Sequence, residues 1–312
     1  MKRTYNYSTL SRETGFDERQ LEKVCRISDV LEDISGVPFL RDRLSLYGGT
    51  SLSFIHFDEL QRLSVDLDFN YRHLDADDWG ETRKRVDDGL KRILYSQGYT
   101  RDDVSISPSY PLARFTVRYR NNLGTEDSFL IEVGYMRRIP LLRSDEYGDF
   151  RHIGLGRSFK VKTPVREELF ANKWCTCLYR GSSRDLFDVA RIAEMGYDRK
   201  LFLRCAVVDS LMRGEPRLHM IDADALVEPV RLDSRMRNLL RMREAESIDF
   251  DAIKAKVLQF TKDILSSLTR EEIEVIEKFH EERTFNPELI DTGIFNTEIA
   301  SHPMILRALA ER

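Results

Sequence analysis

Apolar positions along the chain repeat with two different periods, and the change between them divides it. Over 17–34 (DERQLEKVCRISDVLEDI), Leu21, Val24, Ile27 and Leu31 recur near one face at helical spacing. Leu44 to Tyr47 is a short apolar strand ending in Gly48-Gly49, and Thr50 to His56 reads as a helix start. Leu63 to Phe69 alternates: Leu63, Val65, Leu67 and Phe69 on one face, Ser64, Asp66 and Asp68 on the other. A charged helix is predicted over roughly Asp77 to Gln97, with Gly98 as its stop. Ala113–Tyr119 and Ser128–Tyr135 read as strands joined by a hairpin turn within Arg120–Asp127, which holds Asn121-Asn122 and Gly124. Ser158 to Lys162 is a short last strand. Thr163-Pro164 then opens a helix, with Thr163 as N-cap, proline in the first turn and Glu167 and Glu168 early. From there to Arg312 the pattern is almost all helical. The expected fold is α+β: a mixed domain over 1–162 followed by an α-helical domain over 163–312, with a cleft between them as the natural place for a ligand.

Composition narrows the picture. A length of 312 residues suits about two domains at roughly 150 residues each. With 41% hydrophobic and 33% charged residues, a core can form under a strongly charged surface. No window approaches the roughly 18 consecutive apolar residues of a membrane span. Met1 to Asp17 lacks the apolar stretch of a secretion signal, so a cytoplasmic location without a membrane is expected. Cys25, Cys175, Cys177 and Cys205 fit no disulfide framework and no CxxC pair, and read as reduced packing residues. The scattered histidines and the lack of HExxH argue against zinc. Net charge is -4, which excludes a generally basic protein. The window 137–204 nevertheless carries 15 Lys or Arg against 9 Asp or Glu. It reads either as a local RNA-facing patch or as ordinary solvated charge.

The densest chemistry runs from Gly48 to Asp68. A Gly48-Gly49 turn at a helix start exposes backbone N–H groups that a triphosphate can approach closely. Thr50 and Ser51 add hydroxyl donors, and Arg62 and Ser64 precede the acidic pair. On a strand, Asp66 and Asp68 would point the same way and could hold one or two Mg²⁺ ions through oxygen. Such ions activate an attacking hydroxyl and stabilise leaving pyrophosphate. Each feature alone is ordinary, since Gly-Gly is usually a turn and DxD usually a solvated strand face; their combination is not. Ser64 would share the strand face of both carboxylates, where it either simply hydrogen-bonds substrate or backbone, or serves as a switch whose phosphorylation would repel a triphosphate.

Glu132 lies inside the apolar run Phe129–Val133, where a lone carboxylate is costly unless paired or metal-bound. It is a third metal ligand, a general base, or an outward-facing strand residue. A second cluster contains Lys173, which could meet the triphosphate as a point charge, then Arg180 and Arg184. Asp185 and Asp188, i,i+3, share a helix face. The alternative is a helix–turn–helix held by ion pairs.

Together these clusters resemble the AbiEii/AbiGii toxin family, nucleotidyltransferase-fold toxins of abortive-infection and type IV toxin–antitoxin systems. Some mycobacterial members add nucleotides to tRNA 3′ ends. The resemblance rests on GGTSL at 48–52, RLSVDLDF at 62–69, IEV at 131–133, EELFANK at 167–173, RDLFD at 184–188 and HPMIL at 302–306. It implies a polymerase-β-like nucleotidyltransferase lobe followed by a helical lobe, and a cognate antitoxin. In it Asp66 and Asp68 would bind metal, Lys173 would contact nucleotide and Asp185 would be a catalytic carboxylate. Trp174-Cys175-Thr176-Cys177 departs from the plainer helix expected there.

The favoured expectation is a Mg²⁺-dependent toxin moving NMP from an NTP to RNA, with a tRNA 3′ end as acceptor. One alternative keeps the chemistry but gives it a small molecule or protein as acceptor. Another is a non-catalytic nucleotide- or RNA-binding growth inhibitor, which the intact Asp66/Asp68 pair argues against.

Overall fold

A computed structural model describes residues 3–75, 78–109, 111–214 and 216–311, with backbone alone at 108 and 109. In chain order the helices and strands are α1 (Tyr7–Thr14), α2 (Glu18–Gly36), α3 (Pro38–Arg43), β1 (Leu44–Tyr47), α4 (Gly48–Ser51), β2 (Leu67–Tyr71), α5 (Trp79–Ser96), β3 (Val104–Ser109), β4 (Leu112–Arg120), β5 (Glu126–Gly134), β6 (Glu146–His152) and β7 (Arg157–Thr163). Then come α6 (Arg166–Arg180), α7 (Ser183–Glu194), α8 (Arg199–Arg213), α9 (Ala223–Val227), α10 (Ser234–Arg237), α11 (Met242–Ser247), α12 (Phe250–Ser266), α13 (Arg270–Glu281) and α14 (Pro303–Ala310). The class is α+β. No helix among the described residues is long and apolar enough to cross a membrane.

The chain forms two compact units. The first comprises Met1–Arg138, Glu146–Thr163 and Arg237–Ser247, the second Ile139–Asp145, Pro164–Met236 and Ile248–Arg312. The chain thus alternates between units, where the hydrophobic pattern suggested one boundary near 162. The reason is local pairing. The Leu63 N–H donates to the Leu239 carbonyl, Arg62 bridges Leu240, and Leu239 joins the first core. In the second unit, the Leu141 and Leu142 amides donate to Glu168 and Leu142 bridges Phe295.

In the first unit a five-stranded sheet has the order β1-β2-β5-β4-β3, with β2 and β5 parallel and the other pairings antiparallel. Its odd-numbered β2, β4 and β5 residues, such as Leu67, Phe69, Phe115, Ile131 and Val133, join Leu21, Val24, Ile27 and Leu31 of α2 and Leu90 of α5 in one buried cluster. The even-numbered residues of β2, β4 and β5 therefore occupy the opposite face. Asp17 caps α2 by accepting the Arg19 and Gln20 N–H groups, and Asp78 caps α5 by accepting that of Glu81. Asp77, the expected start of that helix, lies outside the described residues.

Two expected boundaries differ. The strand foreseen at Leu63–Phe69 is displaced to Leu67–Tyr71, because the backbone at 62–63 pairs with the segment Leu239–Leu240 instead. Thr163 ends β7 and does not cap α6. Its hydroxyl donates to the Leu46 carbonyl at 3.1 Å, while Val165 occupies the cap position without a side-chain bond. Helix α6 stops at Arg180, and Gly181, with φ of 58°, and Ser182 separate it from α7.

The second unit is helical, and its core is built around Trp174, Phe202 and Phe260. The unusual Trp174–Cys177 run faces this packing: Trp174 donates to Thr261, Cys175 to the Ala206 carbonyl, and both are fully buried. All four cysteines are free and buried.

Candidate functional site

The chain turns sharply from β1 into α4 at Gly48, whose φ is 67°. L side chains rarely adopt that conformation. A Cβ there would also lie 2.5 Å from Asp68 Oδ2, and one on Gly49 would lie 2.7 Å from Arg62 Nη2 and 3.0 Å from Ser64 Oγ. The two glycines thus let Arg62, Ser64 and Asp68 close onto the turn. A π-helical turn, Leu52–His56, continues α4, a departure from α-geometry frequent at functional sites.

Thr50 is a strut rather than an open donor. Its Oγ1 donates to the Asp66 carbonyl at 2.5 Å and lies 2.9 Å from Ser64 Oγ in a second hydrogen bond, with the residue fully buried. Ser51 is also fully buried and is turned away, its hydroxyl 2.7 Å from that of Thr163. Both hydroxyls thus take part in internal bonds that tie the turn to the segment leading into β2 and to β7.

Asp68 lies on β2, whereas Asp66 just precedes it, so the expectation that both aspartates ride one strand holds for Asp68 alone. Cross-strand pairing aligns Tyr47, Asp68, Glu132, Arg114 and Ser107 in one row over all five strands. Directly paired residues share a sheet face, so Glu132 stands beside Asp68. Its Oε1 accepts from Arg114 Nε at 2.5 Å. This arginine was not singled out in the sequence, although the alternation L-A-R-F-T-V-R-Y-R puts it on the polar face. Among the described residues, no group of three His, Cys, Asp or Glu side chains is arranged to hold a metal ion.

The second unit holds another charged cluster. Lys173 Nζ reaches Asp185 Oδ1 at 2.8 Å and Asp188 Oδ2 at 2.7 Å. Arg180 grips both oxygens of Asp185 at 2.7 and 2.8 Å, and Ser182 Oγ donates to Oδ2 at 2.5 Å. Burial alone would push the Asp185 carboxyl up. The Lys173 charge and the bonds from Arg180, Lys173 and Ser182 outweigh it and hold that group well below the usual carboxylate range. The i,i+3 spacing does bring Asp185 and Asp188 to the same lysine. A neighbouring network, missed because its members lie 37 residues apart, joins Asn172 to Asp209 at 2.9 Å, with Arg213 donating to Asp209 at 2.6 Å.

The positive window 137–204 spans segments of both units, and many of its cations serve internal bonds. Arg151 donates to the carbonyls of Ser53, Phe54, Phe57 and Asp58, Lys162 donates to the Asp42 carbonyl, and Arg157 pairs with Glu32.

Comparison with known proteins agrees with this architecture. MenT4, a nucleotidyltransferase toxin from Mycobacterium tuberculosis H37Rv, superposes with a TM-score of 0.62 over 99% of each chain at 18% identity, which shows a common fold. No curated protein sequence matches the chain. The model of the nucleotidyl transferase AbiEii toxins of type IV toxin–antitoxin systems matches residues 29–281, a span that includes the glycine turn, the carboxylate row and the Lys173–Asp185 cluster. The chain is therefore a nucleotidyltransferase toxin and belongs to the AbiEii family.

Proposed function

We propose that this nucleotidyltransferase moves NMP from an NTP onto an RNA hydroxyl, with a tRNA 3′ end as acceptor and Mg²⁺ as cofactor. The observation that carries the proposal is the contact of the Gly48 turn with the Asp68 carboxylate, a space too small for even one methyl group. The glycine backbone and the acidic oxygens are there side by side. The donor set suits Mg²⁺, which is commonly held by one or two carboxylates together with substrate phosphates and does not need a cage of protein ligands alone. Asp66 and Asp68 would hold it, and Glu132 would join once released from Arg114. Held by these carboxylates, Mg²⁺ would supply charge stabilisation for the attacking hydroxyl and the leaving pyrophosphate.

The chain's own groups do the rest. Gly48 and Gly49 admit the triphosphate, and Arg62 and Ser64 flank it. Ser64 offers a hydroxyl beside the turn. Lys173 spends two of its three N–H groups on Asp185 and Asp188, and its third is proposed to meet phosphate. Asp185, pinned by three donors, is the catalytic carboxylate proposed for this cluster, where it fixes the lysine. The family works as toxin–antitoxin pairs, so a cognate antitoxin is the expected partner.

Incubation with each labelled NTP and total RNA, followed by gel separation and sequencing of labelled species, tests the proposal. Labelled RNA, with tRNA prominent, is expected. Label that appears only in small molecules or protein would move the acceptor to that class.

A further inference from the structure

The open face of the sheet continues past the carboxylate row. On β4, beyond the half-buried Leu112, the residues opposite the core side are Arg114, Thr116, Arg118 and Arg120; the three arginines are exposed and Thr116 is half-buried. Successive members stand about 6.8 Å apart, and the whole run spans roughly 20 Å at ordinary strand rise. Arg114 begins it in the same row as Asp68 and Glu132. The rest of this face on β3 and β5 carries the hydroxyls of Ser105, Ser107 and Ser128, with the half-buried Leu130 beside Thr116. Two acids share it: Glu132, bonded to Arg114, and Glu126, which pairs directly with Arg120. Arg118 donates one bond to the Asp102 carbonyl at 2.7 Å. A guanidinium carries five N–H donors, so that bond orients it without using it up.

We propose that Arg114, Arg118 and Arg120 form a phosphate-tracking stripe that holds the acceptor RNA strand, its reactive end at the Asp68–Glu132 row and its preceding phosphates laid along β4. This rests on the RNA acceptor proposed above. A repeating row of cations with interleaved hydroxyls suits a repeating anion, and Arg and Thr are common phosphate donors. An isolated triphosphate would need no such length, and a small acceptor would reach no further than Arg114.

The test uses fluorescent single-stranded RNA of increasing length and whole tRNA, with the intact chain and the double variant Arg118→Ala/Arg120→Ala. Affinity for the longer RNAs is expected to fall about tenfold or more at moderate salt. The slope of log affinity against log salt should become shallower by roughly 1.4, at about 0.7 per lost single-strand phosphate contact. The KM for NTP and transfer onto a dinucleotide acceptor should stay at wild-type values. Glu126→Gln, which removes a like-charged neighbour of the strand, should move affinity the other way. An unchanged salt slope together with wild-type transfer at every length would overturn the stripe while leaving the RNA acceptor intact. Absence of transfer to any RNA by the wild-type chain would instead remove the acceptor assignment itself. Loss of antitoxin binding by the double variant, with RNA affinity unchanged, would reassign the stripe to a protein partner and overturn the inference.

Discussion

Asp68 on β2 and Glu132 on β5 are direct partners across a parallel strand pairing, with their carboxylates on one sheet face. Like charges placed so are destabilising for a sheet, and Arg114 pairs with Glu132. The metal chemistry proposed above needs both acids. Glu132→Gln should therefore reduce transfer strongly, beyond the roughly 10–100-fold typical of losing an outer partner of a metal ligand. Thermal stability should hold, since a half-exposed ion pair contributes about 1 kcal/mol or less. Wild-type turnover by this variant would make Glu132 a mere strand residue.

Gly48 makes a sharper structural demand. Gly48→Ala would combine a left-handed backbone with a Cβ 2.5 Å from Asp68 Oδ2. A side chain in that region costs on the order of 1–3 kcal/mol, and the carboxylate must move as well. We expect a lowered Tm and a loss of transfer larger than the stability loss explains, read by comparing turnover at a temperature where the variant remains folded.

The Asp185 cluster carries a pH signature. A carboxyl held below its usual range stabilises the fold fully above its unfolded value, near pH 4, and that stabilisation is lost as pH falls through the depressed folded value. Its contribution should thus be flat from pH 5 to 8 and fade only in acid. Asp185→Asn should cost about 3 kcal/mol, the low end for a broken buried pair, because Asp188 still holds Lys173. Denaturant titrations of both proteins across pH should converge in strong acid; a constant gap down to pH 2 would contradict this.

Ser64 lies against Gly49 and hydrogen-bonds Thr50. Ser64→Ala leaves the Thr50 bond to Asp66 in place, so transfer should remain substantial. Ser64→Glu puts an anion where the triphosphate is proposed to lie, and transfer should vanish with NTP affinity. Equal activity in the two variants would take Ser64 out of the phosphate path, and phosphorylation there would then have no route to control the toxin.

Much of this was legible in the sequence, because period and spacing act locally. Alternation around Asp68 correctly put Leu67 and Phe69 in the core and Asp68 opposite them. The spacing of Asp185 and Asp188 brought both to one lysine. What escaped depends on distant partners. Alternation at Leu63–Asp66 says nothing of a ladder, and Leu63 pairs with Leu239, far along the chain. Thr163 has the chemistry of a helix cap, yet a tertiary bond to Leu46 claims it. Strand β6 buries little beyond Phe150 and His152, so its pattern was too sparse to read. The internal bonds of Ser51 and Thr50 likewise join positions that only the fold brings together.

The most direct test of nucleotidyl transfer at the Asp66–Asp68–Glu132 carboxylates follows the two ends of the triphosphate separately. Wild-type chain and Asp66→Asn would be incubated with RNA and Mg²⁺, using NTP labelled at the α-phosphate or at the γ-phosphate. We predict that α-label enters RNA and γ-label leaves as pyrophosphate, that EDTA stops both, and that Asp66→Asn does neither while remaining folded. Label from the γ-position on RNA, or undiminished transfer by Asp66→Asn or in excess EDTA, would contradict the account.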